Sequence, residues 1–310
     1  MDTKIITCLL CLLSLGACIN ETLDECPPEP GNPPETGHVK INLYVEKFRN
    51  TSADPLASRE AAFNLRLQDI AYYLYQGDRL IGQGVVDDLS AYNAPAYVFD
   101  FPALAWGDYT LVAMSNCRAP GVLTGTGADR NEFVLHYPGA DTTGDYFTCV
   151  FPFTVDCNCE LTFDAGLQRA HGVVRSRFVN LPGNITAAEV TLDRVYGQKT
   201  VCADYDGDPV TATRHFPIAP VTRATAPDYV IGTFPTVAGR HSTYRLKLYA
   251  DNADEPVFDR EIPDTLQIVR NQLTEITTTF RTDAQEHIVS FEVTFDTGWD
   301  GTADGSGEPQ

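Results

Sequence analysis

Val39, Ile41, Leu43 and Val45 alternate with Lys40, Asn42, Tyr44 and Glu46. A period of two puts the apolar set on one face of a strand and the polar set on the other, which a helix cannot do. The same signature returns down the chain. Ile70 to Tyr75 and Leu80 to Val86 flank Gln76-Gly77-Asp78-Arg79, which reads as a hairpin with Gly-Asp at its turn. Tyr97 to Phe101, Tyr109 to Ser115, Phe133 to Tyr137 and Tyr146 to Phe153 follow as strands. In the second half come Val173 to Val179, Ala188 to Tyr196, Val230 to Phe234, Tyr244 to Ala250, Val257 to Ile262, Gln267 to Phe280 and His287 to Phe295. Only Arg59 to Arg66 and Leu161 to Arg169 have the composition of short helices. Many short strands without intervening helices imply all-β antiparallel sandwiches and not a doubly wound parallel sheet. The length suits two tandem domains, 38–165 and 166–300, with a loose acidic tail at 301–310.

The N-terminus reads as an address. Lys4 precedes an apolar run from Ile5 to Leu15, and Gly16-Ala17 lead into Cys18. The run is shorter than the roughly 20 residues that span a bilayer. A thiol after small residues at that point is expected to be the lipidated cysteine of a bacterial lipoprotein, with residues 1–17 removed as signal peptide. Diacylglycerol on the Cys18 sulfur and an acyl chain on its amine would anchor the body in the outer membrane. Residues 18–37 carry Pro27, Pro28, Pro30, Pro33 and Pro34 among acids and read as a semi-rigid tether. In extended polyproline geometry it reaches roughly 60 Å.

The net charge is −20, and loss of the signal removes one charge of each sign, Asp2 and Lys4. Such a chain repels phosphate backbones, so no nucleic-acid partner is expected. Nine cysteines include Cys8, Cys11 and Cys18; Cys26, Cys117, Cys149, Cys157, Cys159 and Cys202 remain. In an exported protein these are expected to form disulfides, in pairings that sequence leaves open. Cys157-Asn158-Cys159 lacks the spacing of a zinc pair.

No catalytic constellation emerges. The histidines at 38, 136, 171, 215, 241 and 287 are scattered, with no metal-ligand spacing, nucleophile elbow or phosphate loop. Asp204-Tyr205-Asp206-Gly207-Asp208 departs from the calcium-loop pattern, with Pro209 and His215 where glycine and glutamate belong, and reads as a polar turn. Trp106 and Trp299, with Tyr72, Tyr73 and Tyr75, are the residues from which a sugar platform could be built. No catalytic residue, metal ligand or cofactor is assigned. The one attached group expected is the lipid on Cys18.

A family resemblance then emerges. Cys18 with Cys26-Pro27-Pro28, the strand from His38 to Phe48, the hairpin from Leu67 to Leu80 and the segment from Leu104 to Asn116 occur in the order seen in FimB-type anchoring subunits of Bacteroidales type V fimbriae. Arg169 to Pro182 and Ile268-Val269-Arg270-Asn271 are similar to that family's second-domain strands. The resemblance implies two transthyretin-like sandwiches at the base of a fimbrium, with a stalk pilin or another fimbrial subunit as partner. Polymerisation in that superfamily proceeds by strand addition, in which main-chain hydrogen bonds give affinity and alternating side chains set register. The first strand, with Val39, Ile41, Leu43 and Val45, would occupy its own groove. Ile288, Phe291, Val293 and Phe295 mark the candidate donor strand, which reads equally well as an internal last strand. Cleavage after Arg49 or Arg59 would cut the body from its lipid, so an anchor is expected to remain intact from Cys18 through Arg59. The alternative is a surface lipoprotein adhesin that binds glycans or host protein through its sandwich loops.

Overall fold

The computed structural model describes residues 35–46, 67–90, 92–137, 139, 145–219, 226–251, 253–285 and 287–296. Cys18, Cys26, Arg49, Arg59, the possible helix from Arg59 to Arg66 and the tail lie outside them. The described chain is built from strands. In the first half these are β1 (Thr36–Val45), β2 (Ile70–Gln76), β3 (Arg79–Val86), β4 (Tyr97–Ala105), β5 (Gly107–Ser115), β6 (Leu123–Thr124), β7 (Val134–His136), β8 (Phe147–Val155) and β9 (Glu160–Arg169). The second half supplies β10 (Gly172–Val179), β11 (Ile185–Val195), β12 (Gln198–Thr200), β13 (Tyr205–Asp206), β14 (Val210–Pro217), β15 (Asp228–Thr233), β16 (Ser242–Ala250), β17 (Phe258–Leu266), β18 (Leu273–Thr282) and β19 (Ile288–Asp296).

The first sheet runs β3-β2-β5-β8-β9-β1-β4. Strands β8 and β9 pair only at Phe147 with Arg169 and Thr148 with Gln168, so the ribbon folds over there into two layers. The second sandwich packs β14-β11-β16-β17 on β15-β10-β18-β19. The two halves repeat one plan. Strands β1, β2, β3, β4, β5, β8 and β9 correspond in order to β10, β11, β14, β15, β16, β17 and β18. Each sandwich has one parallel pair, β1 with β9 and β10 with β18, and the rest of the pairing is antiparallel. These strand orders are those of a transthyretin-like sandwich. Among the described residues β19 has no counterpart in the first half.

β1 shows why the alternation matters. Val39, Ile41, Leu43 and Val45 are each 0% exposed between the layers. Burying side chains of this size contributes about 1.5–3 kcal/mol apiece. The opposite face pairs sideways. Lys40 Nζ lies 3.0 Å from Glu160, and Asn42 Nδ2 donates to Asp164 Oδ1 at 2.9 Å. The β2–β3 hairpin closes through Gly77-Asp78, with Gln76 opposite Arg79 and Gly77 at φ 57°. A positive φ at the first turn position suits the right-handed twist of the strands.

Leu161 to Arg169 is not helical. It forms β9, and Leu161, Phe163, Ala165 and Leu167 point inward at every second residue beside β1. The strand continues through Gly166 to Arg169, and the chain passes into the second sandwich at Ala170 and His171. The disulfide expectation is overturned for three cysteines. Cys157 is bonded to Cys159, while Cys117, Cys149 and Cys202 are free. Cys149 lies in the first sandwich core and Cys117 in a separate cluster behind the β5 layer, so that layer keeps them apart. Burial raises both thiols, Cys149 to about 12.

That separate cluster joins the halves. A small sheet, β13-β12-β7-β6, takes two strands from each half, with Lys199 opposite Leu135 at its centre. Beneath it Tyr75, Val112, Met114, Phe133 and Leu135 pack with Val201 and Phe234. Lys199 is only 3% exposed and donates to Ala203 O at 2.7 Å, and burial lowers its pKa to about 8. At the crossover Arg169 Nε donates to Asp145 Oδ1 at 3.0 Å, and His171 Nε2 lies 2.9 Å from the same oxygen. Burial alone would raise the Asp145 pKa. The His171 hydrogen bond and the Arg169 charge outweigh it and bring the carboxyl down to about 2. Asn116, Asn180 and Asn271, at φ 60°, 57° and 55°, end strands or precede them in the left-handed region. Asparagine tolerates that region because its short amide bonds locally, as Asn116 Oδ1 does by accepting from Ser115 Oγ at 3.2 Å.

Ile41→Ala should lower stability by about 2–5 kcal/mol in urea titration. Val289→Ala, at a residue 63% exposed, should change it by no more than about 0.5 kcal/mol. Equal losses would contradict the assignment of β1 to the closed core. Asp145 is held below its unfolded pKa, so its contribution is whole above about pH 4 and is lost as pH falls toward 2. The wild-type chain should therefore lose about 2 kcal/mol more than Asp145→Asn between pH 5 and pH 2. Parallel pH profiles for the two would rule this out.

Candidate strand-exchange site

The two strands singled out by the sequence sit in different sandwiches and differ in how they are held. β1 is hydrogen-bonded on both sides, to β4 and β9. β19 pairs only with β18, and its other edge has no strand partner among the described residues.

The apolar positions of β19 share a face despite their uneven spacing. Thr282 faces Ile288 and Arg281 faces Ser290, so Val289 is an extra residue in the ladder. Such a bulge shifts the side-chain parity by one. Ile288, Phe291, Val293 and Phe295 consequently stand opposite Thr282, Phe280, Thr278 and Ile276 of β18. Phe291 meets Phe258 edge-on at 5.1 Å, and Phe295 meets Tyr244 at 6.5 Å. Their burial is incomplete: Phe291 is 36% exposed and the other three are half-buried. The turn into β19 is pinned by Asp283, which accepts from the backbone N–H groups of Gln285 and His287, each at 2.9 Å. The His287 backbone bond is the main reason its carboxyl sits below the usual range.

Between the edge strands β17 and β19 lies an open groove of about 460 Å³. Ile185, Val257, Phe258, Ile288, Val289 and Phe291 supply its apolar lining. Val257 is 57% exposed. The period-two pattern found β19 itself but not the bulge at Val289, which has no signal besides the three-residue step from Ile288 to Phe291.

The other sequence candidates do not converge. Tyr73 packs on Phe133 and Tyr75 donates to Gly127 O at 2.9 Å, whereas Tyr72 faces Phe99 on the opposite side of the same strand. Trp106 is 40% exposed and Trp299 lies outside the described residues; among the described residues the three tyrosines do not share one face. His38, His171, His215 and His287 each lie against a different carboxylate, those of Asp100, Asp145, Glu189 and Asp283. Tyr205 and Asp206 form strand β13. What the geometry offers is backbone pairing along an edge and an apolar groove beside it.

No family model matches the chain. No curated protein matches it either. Solved structures do. A candidate polysaccharide-binding protein from Bacteroides thetaiotaomicron superposes with a TM-score of 0.56 at 14% identity, covering 85% of this chain and 96% of that one. A candidate adhesin from the same species gives 0.56 at 10% identity over 86% and 97%. A fimbrial anchor protein from Porphyromonas gingivalis gives 0.48 at 12% identity over 84% and 98%. With the first two, this chain shares its two-sandwich fold over nearly their whole length.

Proposed function

We propose that the chain is a lipid-anchored base or accessory subunit of a fimbrium, held at the outer-membrane surface through Cys18 and joined to a pilin by β-strand addition. The observation that carries this is the contrast between its first and last strands. β1 is paired on both edges and its four apolar side chains are fully buried. Removing it would open the first core and, with cleavage after Arg49 or Arg59, release the body from its tether. β19 is paired on one edge, half-buried, and additional to the seven strands that the first sandwich manages with. It is the strand this fold can most readily lend to a neighbour. Backbone bonds would then supply affinity, and Ile288, Phe291, Val293 and Phe295 would set the register. On this reading the protein performs no chemistry and takes no cofactor.

The shared fold with a candidate adhesin supports a place at the cell surface. The polysaccharide-binding neighbour favours a second reading, a surface adhesin acting through its sandwich loops.

Deleting the gene in the cell that makes the protein and imaging by electron microscopy should show filaments shed into the medium, and Cys18→Ala should reproduce this. Filaments that stay attached in normal number would overturn the anchoring role. Saturable glycan binding by the purified chain, with filaments unchanged, would support the adhesin instead. Protein recovered from assembled filaments should begin at Cys18, and a new N-terminus after Arg49 or Arg59 would contradict the retained first strand.

A further inference from the structure

Where the N-terminal segment enters the first sandwich, it is gripped from two sides. Trp106 N donates to Glu35 O at 2.8 Å from the β4–β5 corner. Facing it is the turn from β8 to β9, which contains the Cys157–Cys159 disulfide. Thr36 N donates to Asn158 Oδ1 at 3.2 Å, and His38 N donates to Cys159 O at 3.0 Å. Gly37, between them, lies so close that a Cβ there would meet Cys157 O and Val155 Cγ1, each at 2.8 Å. Three consecutive residues of β1 therefore rest on three consecutive residues of the turn. One step further in, His38 Nδ1 and Lys40 Nζ lie 3.4 and 3.0 Å from the Glu160 carboxylate at the start of β9.

We propose that the Cys157–Cys159 disulfide is a clasp for the first strand: it holds the turn in the shape that receives residues 36–38, and opening it frees that end of β1 while the rest of the sandwich stays folded. The acceptors for Thr36 and His38 belong to Asn158 and Cys159, inside the covalent ring. With the ring open, these residues regain backbone freedom that must be removed each time the turn re-forms around the strand. The inner part of β1, from Val39 to Val45, does not use the turn. It keeps its core burial and its pairing with β4. The mechanical consequence rests on the proposed attachment through Cys18, whereas the clasp itself does not. A pull on the tether arrives at Glu35 and Thr36, the end at which β1 would begin to peel, and the clasp closes that end.

The test is hydrogen–deuterium exchange on the full chain, as wild type and as Cys157→Ser/Cys159→Ser, each with and without tris(2-carboxyethyl)phosphine. The phosphine supplies two electrons that break the S–S bond, and one water supplies the two thiol protons and the oxygen of the phosphine oxide. Exchange at residues 36–38 should rise about tenfold in the reduced wild type and in the double variant, as expected for local opening. Residues 107–115 of β5 should stay protected throughout, and the double variant should not respond to the phosphine. Unchanged exchange at residues 36–38 in the reduced wild type would overturn the proposal. So would an equal loss of protection in β5, or a response to the phosphine in the double variant.

Discussion

The first sandwich depends on a pairing between its two ends. β1 and β9 run parallel, and the hydrogen bond from Asn42 to Asp164 spans 122 residues of sequence. A parallel pair cannot be made by a tight turn, so the chain between must leave the layer of β1 and β9 and come back to it. It crosses in the hairpin β2–β3, returns to lay β4 beside β1, and crosses again in β5 and β8. β4 and β9 flank β1 in its own layer, and its apolar face is covered by β2, β5 and β8 of the facing layer. Contacts of such sequence separation make closure late and slow compared with the local hairpin.

The second sandwich repeats the plan and alters one edge. In the first, β8 and β9 touch at Phe147 and Arg169 and are tied at the other end by a short disulfide-bonded turn. In the second, the corresponding β17 and β18 stand apart, and β19 lies along β18 instead. One edge is thus closed by the chain's own hairpin. Its counterpart carries an appended strand with an apolar gap beside it. The difference places the exposed Val257, Val289 and Phe291 on one side of the molecule.

Sequence pattern was informative wherever one face of a strand meets a core and the other meets water. β1, the Gly77-Asp78 hairpin and β19 were legible for that reason. β9 carries the same period of two at Leu161, Phe163, Ala165 and Leu167, and what suits a short helix is only its composition, since Leu, Ala, Gln and Arg are good helix formers. β14 carries no such signature: only Ala212 and Phe216 face the core firmly, and Arg214 lies over the Phe216 ring at 5.1 Å, so the stretch reads as polar. Of the shared sheet only β7 is legible, within Phe133 to Tyr137, while β6, β12 and β13 carry no pattern. Its strands are two or three residues long and its pairing joins distant parts of the chain. The free Cys117 and Cys149 were likewise hidden, since sequence counts thiols but not which side of a layer each occupies.

The small sheet between the sandwiches has a bearing on how the chain can be divided. A fragment stopping at Arg169 would strip β7 of its neighbour and bare Phe133, Leu135 and Met114 to solvent, along with an unprotected strand edge. Exposed apolar surface beside an open edge favours clumping over solution. Where the two repeats meet, they therefore share an apolar layer and a small sheet to which each lends two strands, and each half finishes a piece of core that the other begins.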